Sequence, residues 1–292
     1  MTDIKLYVAC HRPVKLPQHP YLYPVHAGAK LSGSYFNNMQ RDDNGEHISD
    51  KNCTYCELTV QYWAWKNQKA EYYGFFHYRR FMSFQIVKKT ICDIYLQPND
   101  SVLIDNGYDI EYLSRFVSAY DVLVPCAEKT VETVYQKYIN APYHYKEDID
   151  LMMMIVAQHQ PKYRDAMEQY MQGHDQYYFN MYVMKQEWFD QYCQWLFPLL
   201  KQFDYVNNWN KYNENSIAMR VDGYLAERLF GVWYTYQMQH NTLRSIEVPW
   251  FYFAMGDKKL YKKQWLKNKL LPPGSRRKRI IKRLQNRGRQ QF

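Results

Sequence analysis

The chain has 292 residues, 47% of them hydrophobic and 18% aromatic, including 30 tyrosines; this excludes a disordered chain and bounds it to one large or two small domains. Its net charge of +9 is unevenly spread: 14 of the 38 lysines and arginines fall in residues 258–292, which hold no acid, leaving 24 basic against 29 acidic residues elsewhere, a net of −5. An acidic body argues against nucleic acid as the partner, no run approaches the roughly 20 apolar residues of a membrane span, and "MTDIKLYVACHRP" shows no basic-then-apolar leader, so a cytoplasmic protein is expected.

"IKLYVAC" (4–10) predicts a buried first strand that ends at His11, Arg12 and Pro13. Residues 14–50, rich in Pro, Gly, His, Asn and Asp, predict a long loop of the functional kind. Cys53, Cys56, Val60, Trp63 and Ala64 recur at helical spacing, with Ser49 or Asp50 as N-cap and Thr54-x-x-Glu57 as a capping box. A strand over "YYGFFHY" follows, then strands over "SVLI" (101–104) and "YDVLVP" (120–125) around a helix at 109–119. Further helices are expected at 130–139, 147–159, 161–172, 187–203 and 223–239, with strands over "YYFNMYVM" (177–184) and "IEVPWFYF" (246–253). Alternating strands and helices predict an α/β sandwich with a mainly parallel sheet and a helix-rich C-terminal half. One domain is expected over residues 1–256, followed by a basic amphipathic tail over 257–292.

In such a sheet, ligands bind beyond the carboxyl ends of the strands. His11 and Arg12 end one strand, and His77, Tyr78, Arg79 and Arg80 end another, so the two ends converge on one crevice. Guanidinium groups suit phosphate oxygens, and a histidine donates to phosphate or moves a proton. If the strand runs on, Arg79 and Arg80 point to opposite faces. Asp50, Lys51 and Asn52 lie at a helix N-terminus, which attracts phosphate or simply caps the helix. Asn180, within an apolar strand, binds a sugar hydroxyl or ties down a loop.

Trp63 falls on an apolar helical stripe and reads as core. The lone Cys53-Thr-Tyr-Cys56 pair lacks the second pair of a zinc site. All six cysteines are expected as buried free thiols. The tail interleaves cations with Trp265, Leu266, Leu270, Leu271, Ile280, Ile281 and Leu284, which fits an anionic membrane surface, with a solubilising or nucleic-acid-binding tail as the alternative.

The blocks "DNGEHISDKNCTYCELTVQYWAWKN" (43–67), "YYGFFHYRRFM" (72–82), "FNMYVMKQEWFDQYCQWLFPLL" (179–200) and "RVDGYLAERLFGVWY" (220–234) resemble, in order, the signature of a bacterial family once catalogued as a domain of unknown function. Its members are encoded among capsule and exopolysaccharide genes and are regarded as glycosyltransferases. The resemblance covers about residues 4 to 253. It implies a GT-A-like fold that transfers a sugar, galactofuranose in one branch, from a nucleotide sugar such as a UDP-sugar to a growing or lipid-linked glycan. The basic tail lies outside the resemblance; taken with it, a peripheral enzyme on the inner face of the plasma membrane is expected.

GT-A enzymes commonly hold a divalent cation on an Asp-x-Asp at the end of a central strand. Here that strand ends in His77-Tyr78-Arg79-Arg80, so guanidinium charge is expected to replace the metal and no cofactor is required. Manganese or magnesium stays open at Asp148 and Asp150, although that pair also suits the first turn of a helix, and at Asp42 and Asp43. His11, Asp50, Lys51, Asn52, His77, Tyr78, Arg79, Arg80 and Asn180 are the expected nucleotide-sugar ligands. For the base of an inverting transfer, Glu227 comes first, with an ion pair to Arg220 or Arg228 as its alternative role; Asp222 is second and His77 third. The competing class is a non-enzymatic carbohydrate- or nucleic-acid-binding protein that works through its tail.

Overall fold

The computed structural model describes residues 2–85, 92–271 and 277. Its strands are β1 (Ile4–Cys10), β2 (Leu22–His26), β3 (Gln40–Arg41), β4 (Tyr72–His77), β5 (Arg80–Met82), β6 (Cys92–Tyr95), β7 (Val122–Pro125), β8 (Glu128–Lys129), β9 (Asp175–Gln176), β10 (Tyr182–Lys185), β11 (Ser245–Val248) and β12 (Trp250–Phe253). The α-helices are α1 (Asn52–Tyr55), α2 (Leu58–Asn67), α3 (Asp100–Asp105), α4 (Ile110–Ser118), α5 (Val134–Ile139), α6 (Lys146–His159), α7 (Arg164–Gln172), α8 (Gln186–Val206), α9 (Val221–His240) and α10 (Lys258–Leu270).

The main sheet runs β11-β7-β10-β4-β1-β2-β3. Pairing is parallel within β4-β1-β2-β3 and between β7 and β11, whereas β10 is antiparallel to both of its neighbours. The chain leaves β1 toward β2 and β3, then returns to lay β4 on the other side of β1, with Ala9 opposite His77. That reversal of strand order opens a crevice beyond the carboxyl ends of β1 and β4.

Strand β4 is buried along nearly its whole length, as expected of a strand covered on both faces. Alternation puts Tyr73 and Phe75 on one face, where both rings meet Phe189 of α8. Tyr7 of β1 stacks on the same two rings and meets Trp63 edge-on, so Trp63 is core. Helices α2, α6 and α9 pack in turn on α8. Helix α9 approaches α7 closely because Gly231 lacks a side chain: a Cβ there would lie 1.9 Å from the Tyr170 ring. Gly231→Ala is therefore expected to cost about 1–3 kcal/mol of stability, measured by urea denaturation; an unchanged midpoint would show that the two helices part freely.

The structure departs from the sequence reading in several places. The loop at 14–50 contains β2 and β3. "SVLI" is helical, because Asn99 caps α3 by accepting the Val102 N–H at 2.9 Å. The segment 177–184 is not one strand: Phe179 and Asn180 have φ of 78° and 47°, and β10 starts only at Tyr182. "IEVPWFYF" is two strands, divided at Pro249, which has no N–H to donate. The helix expected across 53–64 breaks at Cys56, whose φ of 52° separates α1 from α2, and no capping box forms there. Cysteines 10, 92 and 193 are buried, whereas Cys53 is exposed and Cys56 and Cys126 are half-buried; all six are free thiols. Helix α10 begins the basic tail and docks on β6, where the Asn268 amide donates to the Cys92 carbonyl at 3.1 Å. Ile280, Ile281 and Leu284 lie outside the described residues.

Candidate functional site

Strand β4 does not run on through its arginines. It ends at His77, turns over Tyr78 and Arg79, and returns as β5 with Arg80 opposite His77. The hairpin is tied to β1 by the Tyr78 N–H, which donates to the Ala9 carbonyl. Both strand ends thus border one cleft of about 1350 Å³, lined by His11, Arg12, His77, Tyr78, Arg79 and Arg80. Arg220, which precedes α9, adds a fourth guanidinium to the lining.

Tyr78 organises the cations. Its buried ring lies 5.2 Å from the Arg12 guanidinium and 5.3 Å from that of Arg79, each a cation–π contact that fixes a charge without neutralising it. Arg79 donates to the Tyr252 hydroxyl at 3.2 Å, while its buried Nε has no partner. Arg80 lies 4.5 Å over the Phe179 ring. Among the described residues none of the four guanidinium groups forms an ion pair with a carboxylate. Arg79 and Arg80 are half-buried and Arg12 and Arg220 are exposed, so four positive charges converge on the cleft, and an anion entering it would be attracted by all of them.

Two imidazoles share this field. Burial, reinforced by Arg80, His11 and Arg79, pushes His77 down to about 2. Its Nδ1 accepts the Arg79 N–H at 3.3 Å, so the neutral ring carries its proton on Nε2, a donor. His11, 5.8 Å away, is lowered by burial and by Arg12, Arg79 and Arg220.

Two carboxylates line the cleft, the half-buried Glu57 and the exposed Glu214. The left-handed Cys56 turns the chain so that Glu57 faces the cleft instead of capping the helix before it. The Glu57 Oε1 accepts the Asn180 amide at 2.7 Å, and the same amide donates to the Gly223 carbonyl at 3.1 Å. Burial raises the Glu57 carboxyl above the usual range. The helical spacing around Cys53 and Cys56 concealed this residue; both sulfurs also line the cleft, and Cys56 Sγ accepts Arg220 Nε–H at 3.1 Å.

The remaining expected site residues take other places. Glu227 does not line the cleft: Oε1 accepts the Phe179 N–H at 2.8 Å and Oε2 pairs with Arg228 at 2.6 Å, so it braces the turn that carries Asn180. Asp222 is fully buried beside Asp204, and burial with that neighbouring charge drives its carboxyl well above the usual range. Lys51 pairs with Asp204 at 2.6 Å, and Asp50 is exposed outside the lining. Asn52 lines the cleft, but its amide donates to the Cys56 carbonyl and Thr59 hydroxyl. Gly28, at φ 71°, admits it closely: a Cβ there would lie 2.7 Å from the Asn52 amide.

The acidic pairs have protein partners. Asp148 is held by Lys211 and by the Tyr212 hydroxyl, and Asp150 by Lys146 and the Tyr135 hydroxyl. Asp42 accepts the N–H groups of Gly28 and Ala29 and the hydroxyls of Ser49 and Thr59, and Asp43 pairs with Arg41. Among the described residues no three His, Cys, Asp or Glu side chains gather in a way that could hold a metal ion.

Residues 5–239 match the family described as Domain of unknown function (DUF4422). The chain belongs to that family. Among solved structures, the DUF4422 chain is similar to one titled "WbbM bifunctional glycosytransferase apo structure", at 30% identity and a TM-score of 0.81. The match covers 86% of this chain but 45% of the other, so the chain spans about half the length of that protein. No curated protein matches it. The mixed α/β architecture with its mainly parallel sheet is thus GT-A-like.

Proposed function

We propose that this DUF4422 protein is a glycosyltransferase that takes a sugar from a nucleotide diphosphate sugar, UDP-linked, and passes it with inversion to a glycan acceptor. The observation that carries this reading is the set of four guanidinium groups without carboxylate partners at the switch point of the sheet, in a chain similar to half of a bifunctional glycosyltransferase.

The arginines grip the diphosphate, and the His77 Nε2–H adds a neutral donor. Glu57 takes the proton of the acceptor hydroxyl while its oxygen attacks the anomeric carbon. The bond from that carbon to the diphosphate oxygen breaks, and the nucleoside diphosphate leaves with the electron pair, its charge spread over the guanidinium groups. Glu57 replaces Glu227, Asp222 and His77 as the proposed base, because its carboxylate lines the cleft and His77 is held neutral by its surroundings. The wider setting proposed is capsule, exopolysaccharide or O-antigen synthesis on a lipid-linked acceptor, with galactofuranose as one candidate sugar.

Calorimetry with a UDP-hexose tests the reading, and pH gives it a sign. Burial depresses His11 first and the guanidinium field second; an anion among the arginines offsets the second cause, so the His11 pKa is expected to rise on binding and a proton to be taken up. Affinity is expected to strengthen as pH falls from about 8 to about 6, with a binding heat that depends on the buffer's ionisation enthalpy. An absence of UDP-hexose binding across that range would end the proposal.

The tail fits a membrane-surface role. Helix α10 exposes Trp265, Leu266 and Leu270 among six lysines, and each lysine near an anionic surface contributes about 1 kcal/mol. No helix among the described residues is long and apolar enough to cross a membrane. Replacing Trp265, Leu266 and Leu270 with serine leaves the Asn268 docking contact in place and is expected to weaken co-sedimentation with phosphatidylglycerol vesicles; unchanged co-sedimentation would remove α10 from the interaction.

A further inference from the structure

The cleft is larger than one small ligand needs. Single-ligand pockets usually enclose roughly 300–1000 Å³, against about 1350 Å³ here. Its cations come from the ends of β1 and β4 and from Arg220, whereas another part of the lining comes from one short segment with no lining cation: Trp209, Asn210, Asn213, Glu214 and Ser216. This is an indole, two carboxamides, a carboxylate and a hydroxyl.

The polar side chains of Asn210, Asn213, Glu214 and Ser216 have no intramolecular partner among the described residues. The backbone beneath them is firmly held. The Tyr212 hydroxyl donates to Asp148 at 2.9 Å and accepts from the Asn207 amide at 3.0 Å, and Lys211 also pairs with Asp148. The Asp-x-Asp aspartate therefore anchors the segment. Asn213 and Glu214 are consecutive left-handed residues at φ 47° and 56°, and Asn215 Oδ1 secures the next turn by accepting the N–H groups of Ile217 and Ala218.

We infer that residues 209–216 form a carbohydrate subsite that seats the terminal sugar of the glycan acceptor. A sugar is uncharged and offers vicinal hydroxyls along its edge and C–H groups on its faces. Carboxamides and a carboxylate bind the hydroxyls, and the Trp209 ring covers a C–H face. Its indole N–H is already used on the Asp204 carbonyl at 3.1 Å, which fixes the plane of the ring. Glu214 repels a diphosphate, so this part of the cleft complements the arginine part rather than extending it. Carbohydrate binding stands on these residues alone; only the role of acceptor rests on the transferase reading.

The test uses the full chain with UDP and three methyl hexosides, of galactose, glucose and mannose, which lack alkyl chains that would bind unspecifically. Saturation-transfer NMR is expected to show at least one hexoside bound to the wild type. Trp209→Ala is expected to weaken that hexoside about tenfold and exposed Asn210→Ala severalfold, with UDP affinity held within about twofold. Because Trp209 also packs against Phe203 and Tyr212, Asn210→Ala guards against a folding effect. Three results would overturn the inference: no hexoside bound by the wild type, unchanged hexoside affinity in both variants, or parallel loss of UDP and hexoside. Failure of UDP to bind at all, with hexoside binding intact, would sink the transferase reading and leave the carbohydrate subsite standing.

Discussion

Glu57→Gln is expected to lower turnover by roughly 10²–10⁴-fold, the usual contribution of a positioned general base, while UDP-hexose affinity changes little. The substitution is close to isosteric and keeps an oxygen for the Asn180 amide to reach, so a loss of rate reports the missing proton acceptor. The pH profile separates this role from a positioning one. Burial raises the Glu57 carboxyl above its ordinary value, and only the ionised form accepts a proton. Wild-type turnover should therefore fall as pH drops through that raised value, and the glutamine variant should lose this limb. Turnover within a few-fold of wild type would return the search for a base to the rest of the cleft.

Arg80→Ala is the second large effect. A charge-assisted hydrogen bond contributes about 1.5–3 kcal/mol, so calorimetric affinity for a UDP-hexose should fall roughly ten- to hundredfold. Arg80→Lys should recover part of the loss, because it restores charge without the planar pair of donors. Arg79→Ala should fall in the same direction. Turnover should persist in a chelator if these groups carry the leaving diphosphate unaided; abolition by chelator with rescue by manganese would reassign that task to a metal. Unaltered affinity in both alanine variants would detach the hairpin from the phosphates.

Much of this arrangement is legible in the sequence because strands covered on both faces read as continuous apolar runs. "IKLYVAC" and "YYGFFH" are such runs, and the polar residues that end them mark the rim. The long amphipathic helix α8 is legible as well, since several turns of apolar periodicity outweigh local exceptions. Short elements are not. "LYPVH" gives β2 only five residues with a proline among them, and "SVLI" fits a strand or a helix until Asn99 is recognised as a cap. Glu57 was hidden because a single backbone angle at Cys56 redirects it. Glu227 misled for a related reason: an acid amid apolar neighbours on a helix reads the same whether it faces a cleft or braces a turn, and only the position of Phe179 decides.

The reversed direction of β10 has a consequence for how the protein can be taken apart. A strand antiparallel to β4 brings its beginning, rather than its end, to the rim where β4 finishes, and so delivers Phe179 and Asn180 beside Arg80 and Glu57. A fragment that stopped short of this strand would keep the arginine hairpin yet lose the amide that steadies the acid. The first half of the chain is thus no autonomous cassette for swapping between proteins, and any chimera should place its junction beyond β12, whose Tyr252 lies opposite Arg80 of the hairpin.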